Sequence, residues 1–186
     1  MFKVFFKKKA KLAINTTPAA SVYVDNQNVG VTPYEGVFGS GEHLIGLVSQ
    51  SEPFRFETKI ELALGVRTVI NRTLADLSEK QSGEIITFEK TGEKGSSVSI
   101  VTEPDAVLLT LNGQAKGYSP LKIDNLFGGE QSLVLESPGF EKKEIKLNAV
   151  NGYKIVLIAK LGVDPSTQTI SEMGKLAKLS WSQWLA

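Results

Sequence analysis

Thr17-Pro18-Ala19-Ala20-Ser21-Val22-Tyr23-Val24-Asp25-Asn26-Gln27-Asn28-Val29-Gly30-Val31-Thr32-Pro33 returns later in the chain as Glu103-Pro104-Asp105-Ala106-Val107-Leu108-Leu109-Thr110-Leu111-Asn112-Gly113-Gln114-Ala115-Lys116-Gly117-Tyr118-Ser119-Pro120. The register persists beyond these strings. Pro18 and Pro104 stand 86 positions apart and Gly41 and Gly129 stand 88 apart, while Gly41-Glu42-His43 answers to Gly129-Glu130-Gln131. Pro53-Phe54 is echoed by Pro138-Gly139-Phe140, Gly65 by Gly152 and Leu74 by Leu161. A small unit has been duplicated, so differences between the copies carry information.

Working outward, the 186 residues divide into a basic leader (1–10), a first unit (11–75), a linker (76–96), a second unit (97–162) and a tail (163–186). A unit of this size buries only about 60 % of its unfolded surface, and with no Cys neither copy has a disulfide. Docking between the copies is therefore expected to help. Hydrophobic content of 41 % and a net charge of +1 describe an ordinary globular composition with no basic excess to suggest nucleic acid. No apolar run approaches the length of a membrane span. Met1-Phe2-Lys3-Val4-Phe5-Phe6-Lys7-Lys8-Lys9 has the charges of a signal peptide without its apolar core. It reads as a basic leader, with the edge of an upstream membrane anchor as the alternative.

Within each unit apolar residues recur every second position, as in Lys11–Ile14 and Ser21–Val24, which is the period of a strand with one buried face. Asp25-Asn26 and Asn112-Gly113 have the turn chemistry of tight hairpins, since these residues tolerate positive φ. Further strands are expected at 44–48, 54–62, 66–74, 133–135, 142–147 and 153–158. Along 54–62, Arg55, Glu57, Lys59 and Glu61 take the wet face, leaving Phe54, Phe56, Thr58, Ile60 and Leu62 for the core. Short strands with Gly and Pro turns every 8 to 12 residues predict an all-β sandwich fold. In the linker, the apolar patch Ile85-Ile86-Thr87-Phe88 predicts one strand added to a sheet edge. In the tail, Thr169-Ile170-Ser171-Glu172 has the form of a helix capping box, and Ile170, Met173, Leu176 and Ala177 share a helical face. Trp181 and Trp184 beyond them need apolar cover from a sheet edge, another module or a partner.

Catalytic chemistry finds little to stand on. The single histidine, His43, has Gln131 as its counterpart, so it reads as a turn-edge residue; one His and no Cys also leave no zinc cluster or thiol nucleophile. Asp25, Glu35, Glu42 and Glu130 lie near expected turns and read as solvated. Asp25-Asn26-Gln27-Asn28 lacks the Gly and Glu spacing of a calcium loop, and Gly39-Ser40-Gly41 opens a strand rather than a phosphate-binding helix. No catalytic residue, metal ligand or cofactor is assigned. Tyr34 and Phe38 in the first copy, with Tyr118 and Phe127 in the second, are the candidate ligand-facing aromatics.

The repeated elements resemble the PEGA domain family. The likeness rests on the Pro18 and Pro104 openings, the strands into Asp25-Asn26 and Asn112-Gly113, and Gly30 to Pro33 with Gly117 to Pro120. It extends to Gly41-Glu42-His43 and Gly129-Glu130-Gln131. The four-letter signature itself is absent, Pro33-Tyr34-Glu35-Gly36 being an approach to it. The resemblance implies a tandem of small Greek-key sandwiches of the transthyretin-like type, found in envelope and surface proteins, with no catalytic residues to carry over. Glycines and prolines at the motif positions are structural: Gly30 and Gly117 permit a bend or bulge, and Pro33 and Pro120 end a strand.

From these readings the expected function is a non-catalytic tandem module of a bacterial cell-envelope or surface protein, serving as spacer, adhesion or protein-interaction unit. Its expected partners are an envelope protein or wall polysaccharide, and no nucleic acid. Two alternatives stand beside it. A carbohydrate-binding module requires the four aromatics to form an exposed platform, and a hydrolase using carboxylates alone requires two acids facing each other in a cleft.

Overall fold

The structure is a computed structural model that describes residues 9–51, 54–77 and 80–166. All of the named elements are strands. The first half holds β1 (Lys9–Thr17), β2 (Ala20–Val24), β3 (Gln27–Val31), β4 (Tyr34–Gly39), β5 (Gly41–Ser49), β6 (Arg55–Leu62) and β7 (Arg67–Thr73). After β8 (Ser82–Lys90), the second half holds β9 (Ser96–Glu103), β10 (Leu108–Leu111), β11 (Gln114–Tyr118), β12 (Leu121–Leu126), β13 (Gly129–Glu136), β14 (Lys143–Ala149) and β15 (Tyr153–Lys160).

Each half contributes a four-stranded sheet, β3-β2-β5-β6 or β11-β10-β13-β14, and the remaining strands form one seven-stranded sheet in the order β12-β9-β15-β8-β7-β1-β4. β1 matches β9, and so on to β7 and β15: both sets pair alike, with β1 parallel to β7 and β9 parallel to β15. Their local turns match too. Asp25 and Asn26, like Asn112 and Gly113, all have positive φ, which a two-residue hairpin loop needs if its twist is to suit the strands it joins. Each hairpin also carries one extra residue beside Gly30 or Gly117, where the register shifts between Val22 and Tyr23 and between Leu109 and Thr110.

β8 lies at the centre of the large sheet, antiparallel to β7 on one side and to β15 on the other. This corrects the expectation of an added edge strand. Successive side chains on a strand point to opposite faces, so Ile85 enters the core of the first half with Leu12, Ile14, Leu47 and Ile70. Ile86 and Phe88 enter the core of the second with Val98, Ile100, Leu133 and Leu157. Two adjacent isoleucines need apolar cover on both faces, and a position between β7 and β15 supplies it while pairing two otherwise free strand edges.

The two small sheets cover opposite faces of the large sheet, one at each end, as a two-fold rotation about β8 would place them. The β7-β1-β4 segment therefore keeps one open face, and the β12-β9-β15 segment keeps the other. β1 begins at Lys9, two residues inside the expected leader. At the far end Val163 bridges to Phe140 in the β13–β14 turn. The predicted tail helix, with Trp181 and Trp184, lies outside the described residues.

Because one strand belongs to both cores, Ile85→Ala and Ile86→Ala are each expected to cost about 2–5 kcal/mol. Both are expected to lower the midpoint of a single unfolding transition, read by circular dichroism in urea, rather than split it into two.

Candidate functional site

The polar residues of each hairpin end form a clamp that is repeated with different chemistry. In the first half the Asp25 carboxylate accepts from His43 Nδ1 (2.7 Å) and from the Leu44 N–H (3.0 Å), while His43 Nε2 reaches the Gly39 carbonyl (2.9 Å). In the second, Asn112 Oδ1 accepts from the Ser132 N–H (2.9 Å), Asn112 Nδ2 donates to Gln131 Oε1 (2.7 Å), and Gln131 Nε2 donates to the Phe127 carbonyl (3.0 Å). Gln131 thus does in neutral form what His43 does with an ionised partner. Both ring nitrogens of His43 face acceptors, so the first clamp has every bond only when the ring carries two protons. The hydrogen bonds from His43 and from the Leu44 amide hold the Asp25 carboxyl below its ordinary range.

The opposite ends are clamped by hydroxyls. Thr16 and Thr32 share a hydrogen bond of 2.6 Å and Thr32 Oγ1 accepts from the Ala20 N–H; Thr102, Ser119 and the Val107 N–H repeat the arrangement. Pro18, Pro33, Pro104 and Pro120 stand here, each after a cis peptide bond. Gly41 and Gly129, both with positive φ, open β5 and β13.

The candidate aromatics separate into two kinds. Tyr34 and Phe38 are half-buried against the first core, with ring centroids 6.4 Å apart. They close over Gly36, where a Cβ would run into the Tyr34 hydroxyl and the Phe38 ring. Both rings pack in part on the first core, because a glycine in an edge strand leaves a gap that its same-face neighbours fill. Tyr118 and Phe127 are exposed, at 63 % and 85 %, but the length of β12 lies between them, about 20 Å for six extended residues. The four share no common face. Among the carboxylates, Glu35 pairs with Arg67 at 3.0 Å, Glu42 with Lys59 at 3.0 Å and Glu130 with Lys146 at 3.2 Å. These are exposed cross-strand pairs worth at most about 1 kcal/mol each. Among the described residues no group of three or more His, Asp or Glu is placed to hold a metal ion.

A long concavity lies at the junction of the halves. Its floor is the open face of β4, β1, β7 and β8, and its wall is the free edge of β14. A cavity of about 1070 Å³ at one end is lined by Val37, Val66, Val69, Phe88, Leu147 and Val150, with Lys9 and Lys11 at its rim. A second, of about 580 Å³, continues it past Ala13, Asn15, Asn71 and Glu144. Across the middle runs a polar bridge that sequence reading missed. Glu84, 5 % exposed, accepts from Asn71 Nδ2 at 2.5 Å through Oε1. Its Oε2 meets Lys143 Nζ at 2.7 Å as a charge contact rather than an aligned hydrogen bond. Asn71 in turn accepts from Asn15. One carboxylate on β8 thus links β7 of the first half to β14 of the second. Glu84 looks in sequence like any charged linker residue; its position just before two buried isoleucines is the only local sign of its burial.

On the other face, Arg72 lies over the Phe56 ring, 4.3 Å from its centroid. Burial lowers its pKa while Glu103 and Glu84 oppose that change. Gly83 beside it has no room for a side chain, because a Cβ would collide with the Asn71 carbonyl oxygen.

Residues 95–160 match the PEGA domain family. No curated protein and no solved structure matches the chain.

The Asp25 carboxyl has a depressed folded pKa, so its contribution to stability is present above the ordinary carboxylate pKa of about 4 and is lost as pH falls through the folded value. Asp25→Ala is expected to cost about 1–2 kcal/mol near neutral pH. The double change Asp25→Asn with His43→Gln, which installs the second clamp in the first half, is expected to cost less and to flatten part of the acid-side loss. Thermal melts from pH 3 to 7 check both.

Proposed function

We propose that the chain is a non-catalytic tandem of PEGA-like Greek-key sandwiches from a cell-envelope or surface protein. It acts as a stiff spacer and interaction unit between whatever is joined to it and a neighbouring envelope protein. The observation that carries this reading is the insertion of β8 between β7 and β15. A connector that supplies a central strand and residues to both cores leaves the halves no hinge, unlike a flexible linker. The one-to-one match of seven strands and of both clamps supports the tandem reading, although the family match falls on the second half alone.

The non-catalytic reading is supported by the exchange of His43 for Gln131 in equal geometry and by the ion pairing of Glu35, Glu42 and Glu130. The wall-polysaccharide reading ranks below it, because Tyr118 and Phe127 stand apart and Tyr34 and Phe38 are packed. An envelope location is supported by the settings in which PEGA domains occur.

Spin labels at Gln27→Cys and Gln114→Cys, equivalent exposed positions in the two halves, are expected to give one narrow distance distribution by pulsed electron resonance. A broad or bimodal distribution would remove the stiff-spacer reading. Fractionation of native cells is expected to recover the protein with the envelope; recovery in the cytosol would remove that assignment.

A further inference from the structure

We propose that the free edge of β4 pairs antiparallel with the same edge of a second copy, joining two seven-stranded sheets into one with Val37 on the two-fold axis. β4 ends the large sheet beside β1. In a strand the N–H and C=O of one residue point to the same side, and those of the next residue point to the other. Lys11 N–H donates to the Val66 carbonyl and the Thr17 carbonyl accepts from Leu74 N–H, so the odd-numbered residues of β1 face β7 and its even-numbered residues face β4. Tyr34, Gly36 and Phe38 stand opposite Ile14, Leu12 and Ala10. These three bond to β1, which leaves Glu35, Val37 and Gly39 with their backbone groups turned outward.

Rotating a second copy about Val37 gives each of those groups a partner. Val37 exchanges both of its bonds with its own image, and Gly39 N–H meets the Glu35 carbonyl. The Gly39 carbonyl already accepts from His43 Nε2 at 2.9 Å, and its second lone pair serves the returning Glu35 N–H.

The side chains agree with the same rotation. The two Val37 side chains, each 55 % exposed in a single copy, meet at the axis. Glu35 comes to lie opposite Gly39 of the second copy, and the next residue along that row is Lys9. The span is two strand spacings, about 10 Å. Glu35 already makes that reach within its own copy, where Oε1 meets Arg67 Nη1 at 3.0 Å across β1. Gly39 puts no side chain in the path, and Oε2 is the oxygen assigned to Lys9 of the second copy. An acid at one end of an edge and a base at the other is the pattern antiparallel self-pairing needs, and the rotation forms the pair twice.

The second half supplies the comparison. Leu121 pairs with Ile100 as Tyr34 pairs with Ile14, so β12 carries Lys122 and Asp124 where β4 carries Glu35 and Val37. Asn125 then takes a positive φ and the register breaks before Leu126. A charge and a kink in the middle of an edge prevent pairing; β4 has neither. Of the small-sheet edges, β3 and β11 are bulged, and β6 and β14 alternate charged side chains along one face. Because the contact joins like to like and β12 cannot extend it, assembly closes at two copies. This inference goes beyond the spacer reading and does not rest on it.

Sedimentation velocity of the full chain, from low micromolar to submillimolar concentration, is expected to show a reversible equilibrium between one copy and two. Val37→Lys, at an exposed site, and Val37→Pro, which removes a donor that faces outward, are each expected to weaken association at least about tenfold with an unaltered circular dichroism spectrum. Val101→Lys on the other open face is expected to leave it unchanged. Glu35→Lys and Lys9→Glu are each expected to weaken self-association. An equimolar mixture of these two variants is expected to associate more tightly than either alone, since the mixed pair has both acid–base contacts and each like pair has none. A single copy throughout the concentration range would overturn the proposal, as would a dimer that both Val37 variants leave intact, or species larger than two copies. A mixture no tighter than its components would overturn the antiparallel pairing about Val37. Diluting spin-labelled chain with unlabelled chain separates distances within one copy from those between copies, so this test and that of the spacer reading fail independently.

Discussion

Ile85 and Ile86, adjacent on β8, point into different hydrophobic cores. A strand whose faces serve two cores must lie where both can reach it, and only the space between β7 and β15 meets that condition. From this follow the single seven-stranded sheet, the opposite placement of the two small sheets and the pair of open faces. The groove beside β14 is a product of the same geometry, since a layer that ends at the junction leaves a step at its edge. Glu84, one residue before the isoleucines, is carried into that step, and its partners Asn71 and Lys143 come from the two halves. Burying the carboxylate is tolerable because both of its oxygens meet polar groups.

Two halves that pair their strands alike allow a comparison within one chain. The clamp at each hairpin end is held by the same backbone groups, yet one copy uses Asp25 and His43 and the other Asn112 and Gln131. What the geometry requires is an acceptor for the amide that follows and a donor to the β4–β5 or β12–β13 turn carbonyl. A charged pair or two amides meet this need equally. His43 holds this clamp through contacts to Asp25 and to the Gly39 carbonyl. The charged version brings a dependence on pH that the amide version lacks, and the depressed pKa of Asp25 is its mark.

The open faces are where the two halves differ in side chains. On the first half the open face is flanked by β14; on the second, exposed Val101 and Ile158 lie side by side. Symmetry in the backbone has not produced symmetry in the surface, because side chains on solvent faces are free of the packing that keeps the cores alike. Edge strands are treated unequally as well: β12 carries a break in register between Ile123 and Leu126 and the Lys122–Asp124 pair, which blunt it against further pairing, whereas β4 keeps an even register with β1.

Read by itself, the amino-acid sequence determined the all-β class, the two hairpin turns and which face of β6 is wet, because each depends on chemistry within a few residues: period-two alternation, positive-φ turn residues and glycine opposite a bulge. The partial packing of Tyr34 and Phe38 is not legible locally, since the gap they fill belongs to Gly36 and the first core together. Tertiary structure alone decided that the linker patch is a central strand, that Glu84 is buried and that the halves share a sheet. A run such as Ile85-Ile86 states that both faces need cover, but which strands provide it is settled by pairing partners far along the chain, and no local pattern encodes their meeting.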